Sequence, residues 1–298
     1  MTNHDLADYP LLNASLNHVG VWPNLRTAVE GLLEAHGVGY ATMAEAQLST
    51  LKGALESRNS TLEDALDGYV EMTIDTLRLQ AEYFRTGRFS YLDESPGDEL
   101  HQDEELMLGR YLPGLFLASV FWPNHRDKLE FFNETYLPMV ADGAKVLDVG
   151  TGPGSYGFLC ADAGADVLFN DLSPHSKKFV ESMATTEVRF LVGSFLDIDP
   201  GQQNFDGIIF SEVVEHLPEP VAGMKKLRAL CSDRAAVFFS TATNAAFYDH
   251  TIIFETVDEI RSMIADHDLR VVAEQEVVAT NGPDGRDVID YNAVLTIA

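Results

Sequence analysis

LysValLeuAspValGlyThrGlyProGly, residues 145–154, is a short apolar run that passes directly into three closely spaced glycines. The residues that follow, SerTyrGlyPheLeuCys at 155–160, read as the first turns of an apolar helix. Glycines at 150, 152 and 154 allow positive φ and let a ligand approach the backbone with no Cβ in the way. Strand, glycine turn and helix together open an α/β sheet of the kind whose ligands bind beyond the carboxyl ends of the strands.

Toward the C-terminus the pattern repeats. Strands are expected at Lys145–Val149, Asp166–Asn170, Glu187–Val192, Phe205–Ser211, Ala235–Thr241, Leu269–Val278 and Ile289–Ile297, with helices between most of them. Such alternation predicts a parallel sheet covered on both faces. AsnGlyProAspGly at 281–285 joins the last two strands as an antiparallel hairpin. The second strand ends in AsnAspLeuSerPro, 170–174, so Asp171 lies a little beyond the glycines at the same sheet edge. A carboxylate there accepts from both hydroxyls of a ribose, which makes an adenosine-type ligand the expectation. The competing role for Asp171, N-cap of the next helix, is one that Ser173 followed by Pro174 can fill. Gly152, Gly154 and Gly157 also fit the dinucleotide spacing, so the loop by itself does not choose between cofactors.

Toward the N-terminus the chain reads as helical. Helices are expected at Pro23–His36, closed by Gly37, at about 42–57, from Ser60 to about Arg85 with a Ser60/Glu63 capping box, and at about Asn124–Val140. Residues 91–105 hold seven acids and no base, as a solvated loop would. Tyr111–Trp122 is almost wholly apolar, either a buried helix or a lid over a ligand. Residues 1–142 thus predict an all-helical cap that extends the substrate pocket, and 143–298 the ligand-binding α/β domain.

Composition narrows the function. The 298 residues are 46% hydrophobic, with 47 Asp and Glu against 20 Lys and Arg, a net charge of -27. The excess is spread over the chain, with 23 acids and 9 bases in 1–142 and 24 and 11 in 143–298. A surface so negative repels nucleic acid and anionic membranes. Cys160 and Cys231 have neither CxxC spacing nor a nearby His and are expected as reduced core thiols. The first ten residues lack the basic and apolar regions of a signal peptide, and no run approaches the length of a membrane span, so the chain reads as cytoplasmic.

Asp148 precedes the first glycine where a dinucleotide fold commonly has an apolar residue, and PheAspGlyIleIlePheSerGluValValGluHisLeu occupies 205–217. With ValLeuAspValGlyThrGlyProGly, PheAsnAspLeuSerPro and ArgPheLeuValGlySerPhe in order before it, residues 145–278 closely resemble the class I S-adenosylmethionine-dependent methyltransferases, especially the small-molecule branch with the ubiquinone-type O-methyltransferases. The resemblance implies a Rossmann-like sheet and S-adenosylmethionine as cofactor. It places Gly150, Gly152 and Gly154 under the methionine part, Asp171 on the ribose and Leu172 on an adenine face. It puts Ser194 and Phe195 at the adenine edge, where the family often has Asp and a small residue, and Ser211 and Glu212 near the sulfonium. Asp148 is expected to fix the loop and a ligand ammonium, and His216 to follow Glu212 by one helical turn on the same face.

His250, in AlaThrAsnAlaAlaPheTyrAspHis at 242–250, is a candidate base beside Tyr248 and Asp249, with His216 a second. The remaining histidines show no metal-ligand spacing, so no metal is expected. Tyr83, Phe84, Phe89, Tyr91, Phe116, Phe121 and Trp122 are candidates to line a lid, since aromatic rings attract a sulfonium. The leading function is transfer of the sulfonium methyl to an O, N or C nucleophile of a small molecule. Alternatives are cyclisation of the cofactor to azetidine-2-carboxylate or aminocarboxypropyl transfer, both releasing methylthioadenosine, a non-catalytic cofactor-binding protein, and, disfavoured by Asp148, a nicotinamide dehydrogenase. A homo-oligomer is compatible with all of these.

Overall fold

Strands whose residues are buried almost continuously, as in a sheet covered on both faces, come together in one sheet. The structure, a computed structural model, describes residues 3–19, 23–89, 97–140, 142–201 and 204–298. Among them the sheet has seven strands in the order β3-β2-β1-β4-β5-β7-β6: β1 (Lys145–Val149), β2 (Asp166–Asp171), β3 (Arg189–Val192), β4 (Phe205–Ser211), β5 (Cys231–Thr243), β6 (Leu269–Thr280) and β7 (Val288–Ile297). All neighbouring pairs are parallel except those made by β7, which runs antiparallel to both β5 and β6. β1 and β4 match the sequence reading to the residue, while β5 and β6 run further because their extra residues gain ladder partners on β4 and β7.

Before the sheet come α1 (Pro10–Val19), α2 (Pro23–Glu56), α3 (Leu62–Thr86), α4 (Gly97–Gln102), α5 (Glu104–Leu106), a π turn at Met107–Tyr111, α6 (Leu112–Phe121) and α7 (Pro123–Phe131). α8 (Ser155–Asp162), α9 (Pro174–Met183), α10 (Pro220–Leu230) and α11 (Val257–Ala265) cover the strands. Three expectations shift here. Gly37, at φ 56 and ψ -132, breaks the helix as expected, but the next helical stretch of α2 begins directly after it and before residue 42, with Tyr40, Ala41, Ala44 and Leu48 buried. The capping box opening α3 is Thr61 with Asp64, not Ser60 with Glu63, because Asn59 at φ 59 turns the chain so that Thr61 is the extended residue. Helix α7 also stops at Phe131, the chain continuing as a π turn to Tyr136 and a 3-10 turn to Met139.

The two faces of the sheet pack against different partners. Leu147, Ile208, Phe210, Val237 and Phe239 meet Leu227 of α10 and Ile260 of α11. Val146, Phe169, Ile209 and Phe238 meet Phe132, Tyr136, Cys160 and Val180 on the other side. The Phe132 and Phe238 rings meet edge-on at 4.9 Å, and truncating either to Ala would cost about 3–5 kcal/mol. The helical region has its own apolar core, which continues onto Phe179 and Met183 of α9. Phe116 and Phe121 belong to that core, whereas Tyr83 and Phe89 form a small cluster with Ala246; Tyr91 lies outside the described residues. Helix α6 is thereby fixed against the glycine loop, with Leu115 Cδ1 3.8 Å from where a Cβ on Gly152 would stand. Both cysteines are buried and unpaired, and no described helix is long and apolar enough to cross a membrane.

Candidate active site

At the carboxyl end of β1 the chain turns through Gly150, Gly152 and Gly154, all at positive φ, into α8. Beneath this loop lies Asp148, 3% exposed, accepting from the Thr151 hydroxyl and the Gly157 N–H. A Cβ on Gly157 would come 2.6 Å from that carboxylate and 2.3 Å from the Phe169 ring, so the approach needs glycine. Burial raises the Asp148 carboxyl to about 7. Asp148 therefore holds the loop from below, through Thr151 and Gly157.

Asp171 closes β2. Its Oδ2 accepts from Gly152 N–H at 3.0 Å and its Oδ1 from Ser173 N–H at 2.8 Å. Ser173 caps α9 with Pro174 in its first turn, so Asp171 is not the cap. Each carboxylate oxygen keeps a second lone pair, enough for two ribose hydroxyls. Beside it Leu172 is 58% exposed, an apolar side chain free to cover a flat ring. An open glycine cradle, a facing apolar wall from α6, an acceptor pair and an exposed Leu fit a nucleoside carrying an amino-acid tail. The two residues expected at the adenine edge are placed differently. Ser194 accepts from Leu196 N–H as the cap of a 3-10 turn, and the Phe195 ring is packed edge-on to Phe210 at 5.5 Å in the core.

At the carboxyl end of β4 the Ser240 hydroxyl donates to Glu212 at 2.7 Å, so Ser211 donates to Ser240 in turn. Glu212 sits at φ 54, unusual for a residue with a side chain. It accepts from the buried Lys128 ammonium of α7 at 2.8 Å. Burial alone would raise Glu212, but Lys128 and Ser240 hold it down to about 2. Around the pair stand His125, pushed down to about 3 by burial and Lys128, and Asp290, which accepts from Asn124 at 2.7 Å. Glu212 is thus neutralised by a side chain of the helical region. It does not share a face with His216 either, because the left-handed turn at Glu212 and the 3-10 turn Val214–His216 replace the expected helix.

His216 and His250 converge with Glu215. The two imidazoles meet edge-on at 4.9 Å, and one ligand atom from each of the three residues lies within 4.8 Å of the others. His216 Nδ1 lies 3.0 Å from Asp249 O, and His250 Nδ1 lies 3.1 Å from Ala245 O. A carbonyl only accepts, so both Nδ1 atoms donate, and each ring keeps a lone pair on Nε2 when it is neutral. Glu215 is 2% exposed and neither carboxylate oxygen has a hydrogen-bond partner. Burial, with the Glu212 charge nearby, pushes it up to about 8, so it is largely protonated at neutrality. Burial and the His216 charge lower His250 to about 4. Burial would lower His216 too, but Asp249 and Glu215 outweigh it and raise it. Tyr248 stands outside this cluster, stacked on Phe247 at 4.6 Å and edge-on to Tyr111 at 6.0 Å.

Two nitrogen lone pairs and a carboxylate are a donor set for a divalent cation such as zinc. Sequence spacing did not show it, because Glu215 and His216 follow β4 and His250 follows β5. Lys128, Glu215 and Tyr111 were also missed. Glu215 carried a signal, an acid beside the flagged His216, whereas nothing local marks a lysine within an amphipathic helix.

The sequence from 123 to 274 matches the family described as "Methyltransferase domain". The ubiquinone biosynthesis O-methyltransferase of Xanthomonas campestris pv. campestris (strain B100) is 34% identical over 144 residues, 44% of this chain and 60% of that protein. That of Bordetella avium (strain 197N) is 34% identical over 131 residues, 41% of this chain and 53% of its own length. The chain therefore spans 60% or less of each of these relatives. The N-methyltransferase NodS from Bradyrhizobium japonicum WM9, solved in complex with S-adenosyl-L-homocysteine, is similar with a TM-score of 0.49 at 13% identity, covering 65% of this chain and 97% of that one.

Proposed function

Because this chain belongs to the methyltransferase domain family, we propose that it holds S-adenosylmethionine on the 150–154 loop and moves the sulfonium methyl to a hydroxyl oxygen of a small molecule. The cofactor supplies an electrophilic methyl carbon on a cationic sulfur. Asp171 would take the ribose hydroxyls and Leu172 one adenine face. Helix α6, with Leu115 over the loop, would exclude water from the reacting groups.

The observation that carries the choice of oxygen is the Nε2 lone pair of His250, a ring that burial holds neutral and whose Nδ1–H is taken by Ala245 O, with the His216 ring edge-on to it. A hydroxyl must lose its proton to become a good nucleophile, and a neutral imidazole within hydrogen-bond reach accepts it. The family relatives named as O-methyltransferases support the same choice. Glu215, His216 and His250 would together hold a divalent cation, which would supply Lewis acidity toward an acceptor hydroxyl, a second form of this chemistry. The acidic surface favours a neutral or cationic small molecule over nucleic acid or membrane.

Incubation with S-adenosylmethionine and a panel of hydroxylated aromatic acceptors, followed by chromatography, tests this. S-adenosylhomocysteine formed in step with a methyl ether is expected. EDTA treatment and zinc re-addition separate the imidazole form, which survives, from the cation form, which is lost and restored. Methylthioadenosine released from the cofactor alone would overturn the proposal in favour of cyclisation.

A further inference from the structure

Gln80 of α3 is buried, and both ends of its carboxamide are bonded to the backbone of the loop after β5. Its Nε2 donates to Asn244 O at 2.9 Å and its Oε1 accepts from Ala246 N–H at 2.9 Å, across 164 and 166 residues of sequence. A carbonyl only accepts and an N–H only donates, so these partners settle which way the amide points. The carboxamide thus bridges two successive peptides. The second of them carries the group that sets the form of His250. A peptide unit is planar, so Ala246 N–H and Ala245 O turn together as one plate. Ala245 O takes the His250 Nδ1–H at 3.1 Å. Gln80 therefore grips the opposite edge of the plate whose carbonyl holds the imidazole.

The rest of the loop is tied elsewhere. Asn244 N–H donates to Phe254 O at 2.7 Å, and the Asn244 carboxamide donates to Glu255 O at 3.2 Å and Asp287 O at 3.1 Å. Further on, the Tyr111 hydroxyl donates to Asp249 Oδ2 at 2.8 Å and Thr251 N–H to Glu215 O at 2.8 Å. These contacts fix the two ends of the segment, while the peptide between Ala245 and Ala246 is held from α3. From this geometry we propose that Gln80 is a positioning residue for the active site: by holding that peptide plane it keeps His250 in the Nδ1–H form, with Nε2 left to accept the proton of the acceptor hydroxyl. The proposal rests on the reading of His250 as the base. Which ring nitrogen carries the proton is set by the hydrogen bond that the other nitrogen makes. If the plate turns, Ala245 O leaves Nδ1 and the Nε2–H form is populated, whose Nε2 cannot accept a proton. Outer partners that orient a functional histidine are typically worth about 10–100-fold in affinity or activity.

Long-range proton–nitrogen spectra of the imidazoles, recorded on the full chain at alkaline pH, test it without an acceptor. Wild type should show His250 as the Nδ1–H form. Gln80→Met keeps the length of the side chain and removes both hydrogen bonds. It should move the His250 nitrogens toward the other tautomer, while His216, bonded to Asp249 O, keeps its pattern. Gln80→Glu still offers an acceptor to Ala246 N–H and should keep the wild-type form. Tyr83→Phe removes a hydroxyl of the same helix that donates to Asn244 Oδ1 at 3.4 Å, and should leave His250 unchanged. Unchanged His250 nitrogens in Gln80→Met, or an equal movement of His216 or in Tyr83→Phe, would overturn the proposal. Wild type alone supplies a second test: the Ala246 amide should exchange slowly with solvent, and exchange at the rate of an open loop would overturn the proposal as well. Once an acceptor is found, Gln80→Met should lower kcat about 10–100-fold with cofactor affinity unchanged. If the His250 nitrogens move as expected but no S-adenosylhomocysteine is ever formed, the proposed function fails and the positioning role stands. If methyl transfer requires His250 but its nitrogens stay fixed in Gln80→Met, the positioning role fails and the proposed function stands.

Discussion

The carboxyl ends of β1 and β2 and the carboxyl ends of β4 and β5 lie at the same edge of the sheet but are built in opposite ways. The first is made of backbone: a glycine turn, Gly152 and Ser173 N–H groups on one carboxylate, and a helix cap, all from residues 148–174. The second is made of side chains from α7, β4, β5, β7 and the π turn before α6, brought together by tertiary packing. The first half is held by backbone groups close in sequence. The second half holds the perturbed acids and histidines and is where an acceptor would be selected.

The difference sets the order in which the halves should break. Lys128→Met leaves Glu212 facing Asp290 with no cation between them. Removing one partner of a buried pair costs about 3–5 kcal/mol, but Glu212 keeps 38% of its side chain exposed, and screening brings the expected loss to about 2–3 kcal/mol. Urea denaturation should show it, with Glu212→Gln added to Lys128→Met recovering most of it. A loss under about 0.5 kcal/mol, the scale of a surface substitution, would mean the pair is solvated and the second half is not the packed device described.

A smaller effect separates the halves by pH. Glu215 at about 8 and Asp148 at about 7 both lie above their unfolded values, so the folded state binds more protons and stability falls as pH rises through these values. His216, raised by its carboxylates, has the same sign. His250, at about 4, has the opposite sign, but its contribution is complete once the unfolded histidine value is passed. Between about pH 6.5 and 8 the acids and His216 act alone, and a decline of about 1–2 kcal/mol is expected. Glu215→Gln should flatten more of that decline than any change in the glycine loop. An unchanged slope would remove Glu215 from its buried, protonated role.

The same contrast explains what was legible in the sequence. Asp148, the glycines, Asp171 and the Ser173 cap are local, so order along the chain displayed them, and β1 and β4 were bounded to the residue. Phe195 misled because its family position implies a ligand edge while its size sends the ring beneath the sheet onto Phe210. The helix drawn from Glu212 to His216 failed because the Lys128 and Ser240 contacts accompany a left-handed Glu212. His250 and His216 were each visible as titratable residues. Their meeting with Glu215, and the reach of Tyr111 to Asp249, depend on strand order and on how α6 packs, which no local spacing encodes.

The central claim is that the backbone-built half is an S-adenosylmethionine site with Asp171 as its acceptor. Calorimetric titration of the cofactor into wild type and Asp171→Ala tests it most directly. Saturable binding by wild type, weakened at least about tenfold in the variant through loss of charge-assisted hydrogen bonds worth about 1.5–3 kcal/mol each, is the predicted result. Equal affinities in the two proteins, or no heat from S-adenosylmethionine with binding of a nicotinamide dinucleotide instead, would contradict it.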